Sequence, residues 1–230
     1  FDIFNWYDNK HLSNSPIIAF HKPFFFQTFI VNGLKSKIRN FYELSEEIVI
    51  NETYNTNFNR VTIKSTLSDI YIKNSLDNTS KIVVYGNSDL VSYNTNNNKL
   101  FINIKSKSCI GFCFKNQVSK IEVYLPGDYN KVIDIINEHG NIEIEKFENA
   151  SFDIEEEYGN VLLEYSKFAK IDNEHGNIVL NNSKIARLNT SYGNIDINEV
   201  DDIEAESEHG NINIEKINKL KLLNIDSEKF

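Results

Sequence analysis

Histidine and tyrosine alternate at one recurring position of this sequence, always directly before a Gly-Asn pair. The residues at this position are His139, Tyr158, His175, Tyr192 and His209. Histidine is a common zinc ligand, but zinc holds its ligands at about 2.0–2.1 Å. If the copies stack as strands about 4.8 Å apart, histidines in every second copy are about 9.6 Å apart and cannot share an ion. We therefore predict no metal or cofactor site and interpret the position as a ladder of offset-stacked rings, with a ligand-stacking surface as the alternative.

Acidic residues are concentrated around the same position. They are Glu138, Glu155, Glu156, Glu157, Glu174, Asp201, Asp202, Glu204, Glu206 and Glu208. Outward strand faces are usually charged, so the simplest interpretation is a solvated surface. The sharper interpretation is a ridge of the four glutamates that directly precede a ring residue, which are Glu138, Glu157, Glu174 and Glu208. Such a ridge would attract cationic ligands, either basic peptides or divalent ions.

No catalytic residue can be assigned from a recognisable motif. If the repeated copies stack into a parallel β-helix, an enzyme is one alternative. Some proteins of that fold are polysaccharide lyases and hydrolases, which combine clustered carboxylates with a basic residue or calcium in a groove. Only one arginine, Arg187, falls within the repeated coils. Glycoside hydrolysis needs two carboxyl groups at a defined separation, which a series of repeating acids does not specify. The sequence favours a non-enzymatic scaffold or binding module, and a carbohydrate-active β-helix enzyme is the alternative.

The charge of the chain narrows the choice of partners. The chain has 230 residues, a formal net charge of −9 and three arginines, Arg39, Arg60 and Arg187. Nucleic-acid binding needs clustered lysine and arginine side chains, so we exclude nucleic acid as a partner. A protein, a cationic peptide or a glycan remains as the candidate partner.

The ring position belongs to an internal repeat centred on glycine. Its five glycines are separated by 19, 17, 17 and 17 positions, and they are Gly140, Gly159, Gly176, Gly193 and Gly210. In every copy, the residues two and four positions after the glycine and five and seven positions before it are apolar. These steps of two are typical of strands, not of helices. Each copy is therefore predicted to contain two short strands with a corner at the glycine.

A coil of this length cannot enclose a hydrophobic core by itself. Stacked copies pair their backbones in parallel at about 4.8 Å and share one core. We therefore predict an all-β fold, a single-stranded parallel β-solenoid with coils of about 17 residues. Antiparallel hairpins, the alternative, would not explain a fixed glycine register with apolar columns on both sides. We expect the glycine to take a positive φ and the asparagines that follow to hydrogen-bond to one another along the stack.

The repeat template extends beyond these five copies. The predicted boundaries are a solenoid domain over 45–230, with a first coil over 61–72, insertion strands over 73–130 and regular coils over 131–230. The last coil is expected to place Leu220 and Leu222 in its two apolar slots. Residues 1–44 are rich in aromatic side chains and lack the template, so we expect a cap on the stack or a membrane-proximal segment there.

Two features of the sequence concern the cellular compartment of the protein. The chain contains no methionine and no uncharged apolar stretch long enough to span a membrane, so an anchor or signal upstream of Phe1 is an open expectation. Cys109 and Cys113 would lie about 13 Å apart on one straight strand. They could form a disulfide only across a tight turn, and two half-buried thiols are the simpler interpretation.

The order of these segments resembles a known bacterial family. Val61-Thr62-Ile63 opens a first coil, the strand Ile121–Pro126 ends in Leu-Pro, and serial Gly-Asn-Ile-x-Ile coils follow. Over roughly residues 58–230, the arrangement is similar to the bacterial putative-adhesin family, which is related to the DUF4097 domains of unknown function. The corner reads His/Tyr-Gly-Asn here and Ser-Gly-Asp in that family. The resemblance implies a right-handed β-helix-like fold and an extracytoplasmic setting in the cell envelope or at the surface, and it carries over no catalytic residue.

Overall fold

The computed structural model describes residues 47–105 and 117–225 of the chain. The predicted N-terminal segment, residues 1–44, and both cysteines, Cys109 and Cys113, lie outside the described residues. Within the described ranges, no helix is long and apolar enough to cross a membrane. This part of the chain consists mainly of strands, joined by turns and by a short 3₁₀ helix at Ser88–Leu90.

Strands follow one another along the described chain, and the later ones are long. Their bounds are β1 (Ile48–Tyr54), β2 (Arg60–Ser65), β3 (Asp69–Ser75), β4 (Ser80–Tyr85), β5 (Val91–Asn96), β6 (Lys99–Ile104), β7 (Lys120–Pro126), β8 (Val132–His139), β9 (Ile142–Tyr158), β10 (Val161–His175), β11 (Ile178–Tyr192), β12 (Ile195–His209) and β13 (Ile212–Ile225). The prediction of two short strands in each copy is wrong. Each of β9 to β12 is one continuous strand from one glycine corner to the next, because backbone pairing persists through the bend, as at Ser166 and Ser183.

Strands β9 to β13, which we call the regular stack, pair in parallel and in register. Ala169 lies opposite Ala186, and His175 lies opposite Tyr192. The same offset of one copy continues from β11 to β12. A register shift after Ser166, in the pairing of β10 with β9, accommodates the extra residues of the longer copy. The predicted fold class, a parallel β-solenoid whose coils have the predicted length, is confirmed.

The predicted apolar columns lie inside the solenoid. In the third copy, Ala169, Ile171, Ile178 and Leu180 have no exposed surface. A further buried column, seven positions after each glycine, is absent from the prediction and contains Phe147, Ser166, Ser183 and Val200. Burying one aliphatic side chain contributes about 1.5–3 kcal/mol. Because the columns are continuous, each coil completes the core of its neighbours.

The predicted first coil, β2 and β3, lies between later segments of the chain. On one side it pairs with β8 and the start of β9, with Ile63 opposite Ile135 and Ile70 opposite Ile142. On the other side it pairs in parallel with β6 and β7. The predicted insertion strands therefore supply a further layer of the solenoid, and β1, β4 and β5 attach to it as antiparallel strands. We call β1 to β7 the N-terminal layers.

Close backbone contact, more than a left-handed conformation, requires glycine at the corners. Of the five corner glycines, Gly140 and Gly176 have a positive φ, 125° and 155°, and the predicted positive φ is wrong for the other three. A Cβ at Gly159 would lie 1.8 Å from the carbonyl oxygen of Gly140, and a Cβ at Gly193 would lie 1.9 Å from that of Gly176. No side chain fits between coils that approach this closely.

The last coil departs from the predicted register. Strand β13 follows the copy-to-copy register of β12 as far as Leu220 and then shifts by one residue. Leu223, not Leu222 as predicted, consequently lies opposite Ala205. A β-bulge inserts one extra residue in this way and changes which residue faces the neighbouring strand.

Candidate functional site

The alternating rings form a continuous ladder at the glycine corner, as the sequence predicts. The ring centroids of Tyr158 and His175 are 4.7 Å apart, with an interplanar angle of 14°. His175 stacks on Tyr192 at 4.8 Å and 12°, and Tyr192 stacks on His209 at 4.7 Å and 21°. The first pair differs, because His139 meets Tyr158 edge-on at 5.0 Å and 87°. We call these five residues the ring ladder.

The ring ladder exposes ring edges rather than ring faces. Tyr192 is 51% exposed, yet stacked rings above and below cover both of its faces. Tyr158 is 46% exposed, and His175 covers one of its faces while His139 meets the ring edge-on. A planar ligand therefore has no room to stack between the rings, which argues against the ligand-stacking alternative. The exposed groups are tyrosine hydroxyls and imidazole edges, which form hydrogen bonds.

The ring ladder keeps its histidines apart. A tyrosine ring separates His139 from His175, and another separates His175 from His209. Across the part of the chain that the structure describes, no group of three or more His, Cys, Asp or Glu side chains is placed to hold a metal ion.

A second ladder, of asparagine side chains, runs beside the ring ladder. Asn160 donates from its backbone N–H and its Nδ2 to Asn141 Oδ1, at 3.2 and 3.1 Å. Asn177 makes the same two contacts with Asn160 Oδ1, at 3.0 and 3.3 Å. Asn194 donates its backbone N–H to Asn177 Oδ1, and Asn211 makes both contacts with Asn194 Oδ1. Asp69 Oδ1 starts the series by accepting the N–H of Asn141 at 2.8 Å. The predicted asparagine ladder is confirmed, and it fixes the backbone that carries the rings.

The four predicted ridge glutamates lie on the outer face of the solenoid beside the ring ladder. Glu138, Glu174 and Glu208 are exposed, and Glu157 is half-buried. The row is interrupted because Ser191 holds the equivalent position in the fourth copy. Glu174 lies 3.7 Å from the Nδ1 of the adjoining ring, His175. We call these four glutamates the acidic ridge.

Basic residues elsewhere on this outer face contact acids of the neighbouring coils. Lys170 lies 3.3 Å from Asp153. Arg187 lies 3.3 Å from Asp202 and 3.1 Å from Glu204. Exposed ion pairs of this kind contribute about 0–1 kcal/mol to stability. Both cations thus contact acids that lie outside the acidic ridge.

Arg60, in the first coil, lies against the regular coils, a placement that the sequence does not predict. Arg60 Nη2 donates to Asp134 Oδ1 at 2.7 Å. With Asp153 and Glu155, this pair lines an open depression of about 320 Å³. Arg187 is the only arginine of the regular coils, as predicted, but Arg60 joins it on the solenoid surface because β2 lies directly against β8. Within this depression, the cation and its nearest carboxylate already bind each other.

A family model matches residues 47–229, which span both the N-terminal layers and the regular stack. This chain belongs to the Toastrack DUF4097 family. The match confirms the resemblance that the first coil, the Leu-Pro strand end and the Gly-Asn corners indicate. The Toastrack region begins before residue 58, the predicted limit, and includes the antiparallel strand β1.

Solved structures similar to this Toastrack chain have low sequence identity. A putative adhesin from Bacteroides fragilis is 20% identical, with a TM-score of 0.49 and coverage of 79% of this chain and 98% of that chain. A putative cell adhesion protein from Clostridium sporogenes is 11% identical, with a TM-score of 0.46 and coverage of 79% and 100%. A putative lipid binding protein from Parabacteroides distasonis is 14% identical, with a TM-score of 0.33 and coverage of 75% and 96%. No curated protein matches the chain.

The Toastrack coils also contain an inner polar column that sequence reasoning misses. It consists of the residues three positions before each corner glycine, which are Asn137, Glu156, Asn173, Thr190 and Ser207. None of them is more than 3% exposed. The signal is present in the sequence, because this position is polar in all five copies and yet shares its strand face with the apolar columns five and seven positions before the glycine.

Glu156, predicted from the sequence to lie on the solvated surface, belongs to this inner polar column. Its Oε2 accepts a hydrogen bond from Asn137 Nδ2 at 2.9 Å. Burial, opposed in part by that hydrogen bond, raises the pKa of Glu156 to about 8. Strand alternation explains the error, since Glu155 and Glu157 point outward and the residue between them must point inward.

Proposed function

We propose that this Toastrack chain is a non-enzymatic binding module of the bacterial cell envelope or surface. Its binding face is the ring ladder together with the acidic ridge, and its partner is a cationic peptide or a basic segment of another protein. The observation that carries the proposal is the register of the exposed groups. Histidine or tyrosine ring edges recur on successive coils, with stacked rings 4.7–4.8 Å apart, and a glutamate precedes the ring on four of the five coils.

The chemistry of this binding face suits a basic chain. Carboxylates accept hydrogen bonds from ammonium and guanidinium groups, and charge assistance makes these contacts stronger than neutral ones. The hydroxyls of Tyr158 and Tyr192 are exposed within the same face and add neutral acceptors. A rigid backbone holds all of these groups in place, so the partner meets a surface that needs little reordering.

The extracytoplasmic location is part of the same proposal. It rests on the resemblance of the first coil, the Leu-Pro strand end and the serial corners to adhesin-type domains, whose setting is the envelope. Detection of the protein in envelope fractions, with a cytoplasmic marker as the control, would test the location separately from the binding.

A titration calorimetry experiment tests the binding face. A lysine-rich peptide is titrated into the wild type and into a variant with all four acidic-ridge residues changed to Gln. A control variant removes the same number of charges from exposed positions on the other arm of the coil, through Glu143→Gln, Glu164→Gln, Asp196→Asn and Glu215→Gln. We expect the ridge variant to lose most of the binding, the control to keep it, and the wild-type affinity to fall as salt increases.

Two results would contradict the binding proposal. If the ridge variant and its control lose affinity equally, the peptide responds to net charge and not to a site. If neither loses affinity, the ring ladder and the acidic ridge are not the binding face. A parallel titration with calcium separates a response to divalent ions from one to basic peptides.

The Arg60 depression supports a second candidate, a carbohydrate-active enzyme. Arg60, Asp153 and Glu155 place a cation and two carboxylates around one open space. Turnover of acidic and neutral polysaccharides would reveal such an activity. It should disappear in Asp153→Asn and Glu155→Gln and persist in the acidic-ridge variant.

A further inference from the structure

The inner polar column closes each corner with a side-chain hydrogen bond to the coil beside it. In four of the five copies, the donor reaches the carbonyl oxygen at the corner of the preceding coil. The pairs are Asn137 Nδ2 with Ser68 O (3.2 Å), Asn173 Nδ2 with Gly159 O (2.9 Å), Thr190 Oγ1 with Gly176 O (3.4 Å) and Ser207 Oγ with Gly193 O (3.1 Å). The rule within the column is therefore a donor facing a carbonyl.

Glu156 is the exception to this rule. Its place in the column faces the carbonyl oxygen of Gly140, but an ionised carboxylate carries acceptors only. Oε2 has Asn137 as its donor, whereas Oε1 is buried and has no hydrogen-bond partner. A Cβ at Gly159 would lie 1.8 Å from Gly140 O and 2.9 Å from Glu156 Oε1. Both oxygens therefore lie close to this one point.

We propose that Glu156 is held as a neutral carboxylic acid whose hydroxyl donates to the carbonyl oxygen of Gly140, and that losing this proton loosens the corner beneath the ring ladder. The proton restores the pattern of the column, since every copy then presents a donor to the carbonyl beside it. Without the proton, two acceptors would face each other inside the solenoid, which is costly for buried polar atoms. The site is a pH-sensitive contact built into the first regular corner.

The surroundings of Glu156 favour the neutral form. The charged groups that act on it are Asp69 from β3 and Glu157 from its own strand, and both are acidic. Strands β8 and β10 present Asn137 and Asn173 from the same column, which are uncharged. Burial is the largest influence and raises the pKa of Glu156 to about 8, although the hydrogen bonds from Asn137 and from the Tyr158 backbone oppose it.

The sign of the pH dependence follows from this raised pKa. In the unfolded chain the carboxyl loses its proton near the ordinary value of 4.5, whereas in the folded protein it keeps the proton until about 8. Between these two values the folded state binds more protons than the unfolded state. Stability from this group is therefore complete below pH 4.5, declines as the pH rises to about 8, and is constant above that.

Two measurements on the full chain test the proposal. Carbon-detected NMR of the glutamate carboxyls reports the titration of Glu156 directly, with Glu157 as the neighbouring comparison. Thermal unfolding is then followed at pH 5, 7 and 9 for wild type, Glu156→Gln and Glu157→Gln. We expect wild type to lose roughly 10 °C in melting temperature between pH 5 and pH 9. Glu156→Gln should lose much less, since its amide donates at every pH. Glu157→Gln should lose nearly as much as wild type, since Glu157 has only a minor influence on the pKa of Glu156.

A Glu156 carboxyl that titrates near 4.5, or a Glu156→Gln variant with the wild-type pH dependence, would overturn the proposal. A second variant covers the case in which Glu156→Gln fails to fold. Asn173→Asp places an acid at the same position of the next coil, opposite Gly159 O, and should add a second loss of stability over the same pH range. An unchanged pH profile for Asn173→Asp would count against the mechanism.

Discussion

The regular stack and the N-terminal layers bury the same kind of core but carry very different surfaces. In the regular stack one register repeats, so like residues meet like residues and form ladders of rings, asparagines and inner polar groups. In the N-terminal layers the parallel rungs are present, yet each rung has different side chains, and antiparallel strands cover part of them. The asparagine ladder begins at Asp69, where the two regions meet. Repeating the same residues from coil to coil thus produces a continuous surface of like groups, whereas the core needs only apolar residues at the right positions.

The largest expected effect separates corners that touch the backbone of another coil from a turn that meets only the end of a side chain. Gly193→Ala would place a Cβ 1.9 Å from the carbonyl oxygen of Gly176, so we expect a loss of at least about 3 kcal/mol in the free energy of unfolding. Gly127→Ala is the matched control, because a Cβ there would meet only Asn74 Oδ1, at 3.3 Å. Urea denaturation measures both, and equal losses would show that coil contact is not what demands glycine.

The next effect concerns the core of the regular stack. Ile178 is fully buried and Ile185 is 37% exposed in the same strand. Ile178→Ala should cost about 2–5 kcal/mol of stability, while Ile185→Ala should cost far less. Denaturation followed by circular dichroism would show the difference. The idea of one shared core fails if the exposed position proves the more costly.

A smaller loss of stability is expected when one member of the asparagine ladder is replaced. Asn177 donates to Asn160 Oδ1 at 3.3 Å and accepts the backbone N–H of Asn194 at 2.9 Å. Asn177→Ala should therefore cost about 1–2 kcal/mol, since a backbone N–H loses its partner. Asn198→Ala changes an exposed asparagine in the next coil outside the ladder and serves as the control. Similar small losses from both changes would mean that the ladder contributes nothing beyond composition.

The smallest expected effect belongs to the ring ladder. Tyr192 contacts His175 and His209 with near-parallel planes, and such stacking contributes about 0.5–1.5 kcal/mol for each aromatic pair. Because Tyr192 is 51% exposed, we expect the low end of this range for each of its two pairs. Tyr192→Ala should therefore lose about 1 kcal/mol in total in chemical denaturation, and Tyr192→Phe should stay close to wild type because it keeps the ring. If Tyr192→Phe is as costly as Tyr192→Ala, the hydroxyl rather than the stack is responsible.

The features that sequence predicts are those that follow directly from the repeat. Positions two and four residues after a glycine are apolar in every copy, so the core, the parallel register and both visible ladders can be derived from spacing alone. The order of the rings along the ring ladder can also be predicted, because His and Tyr occupy the same position of the repeat.

The features that sequence misses depend on which coil lies against which. Ile102 and Ile121 belong to one rung, but they lie much further apart in the sequence than Ile63 and Ile70, their partners in the first coil. The template, which assumes a fixed spacing, therefore does not detect the rung. Glu156 looks like a surface acid because its neighbours are acidic, and its burial follows only from strand alternation. The requirement for glycine comes from a contact between coils, which a local conformational argument does not detect.

The place of the first coil between later segments determines how this chain must fold. During synthesis from the N-terminus, Val61 appears long before its pairing partners, because Leu100 and then Ile133 follow much later in the sequence. Within the regular stack, each residue meets its partner after a single copy of the repeat. Long closures cost more chain entropy and slow folding. We expect the enclosure of β2 and β3 to limit the folding rate, and the remaining coils to add in quick succession.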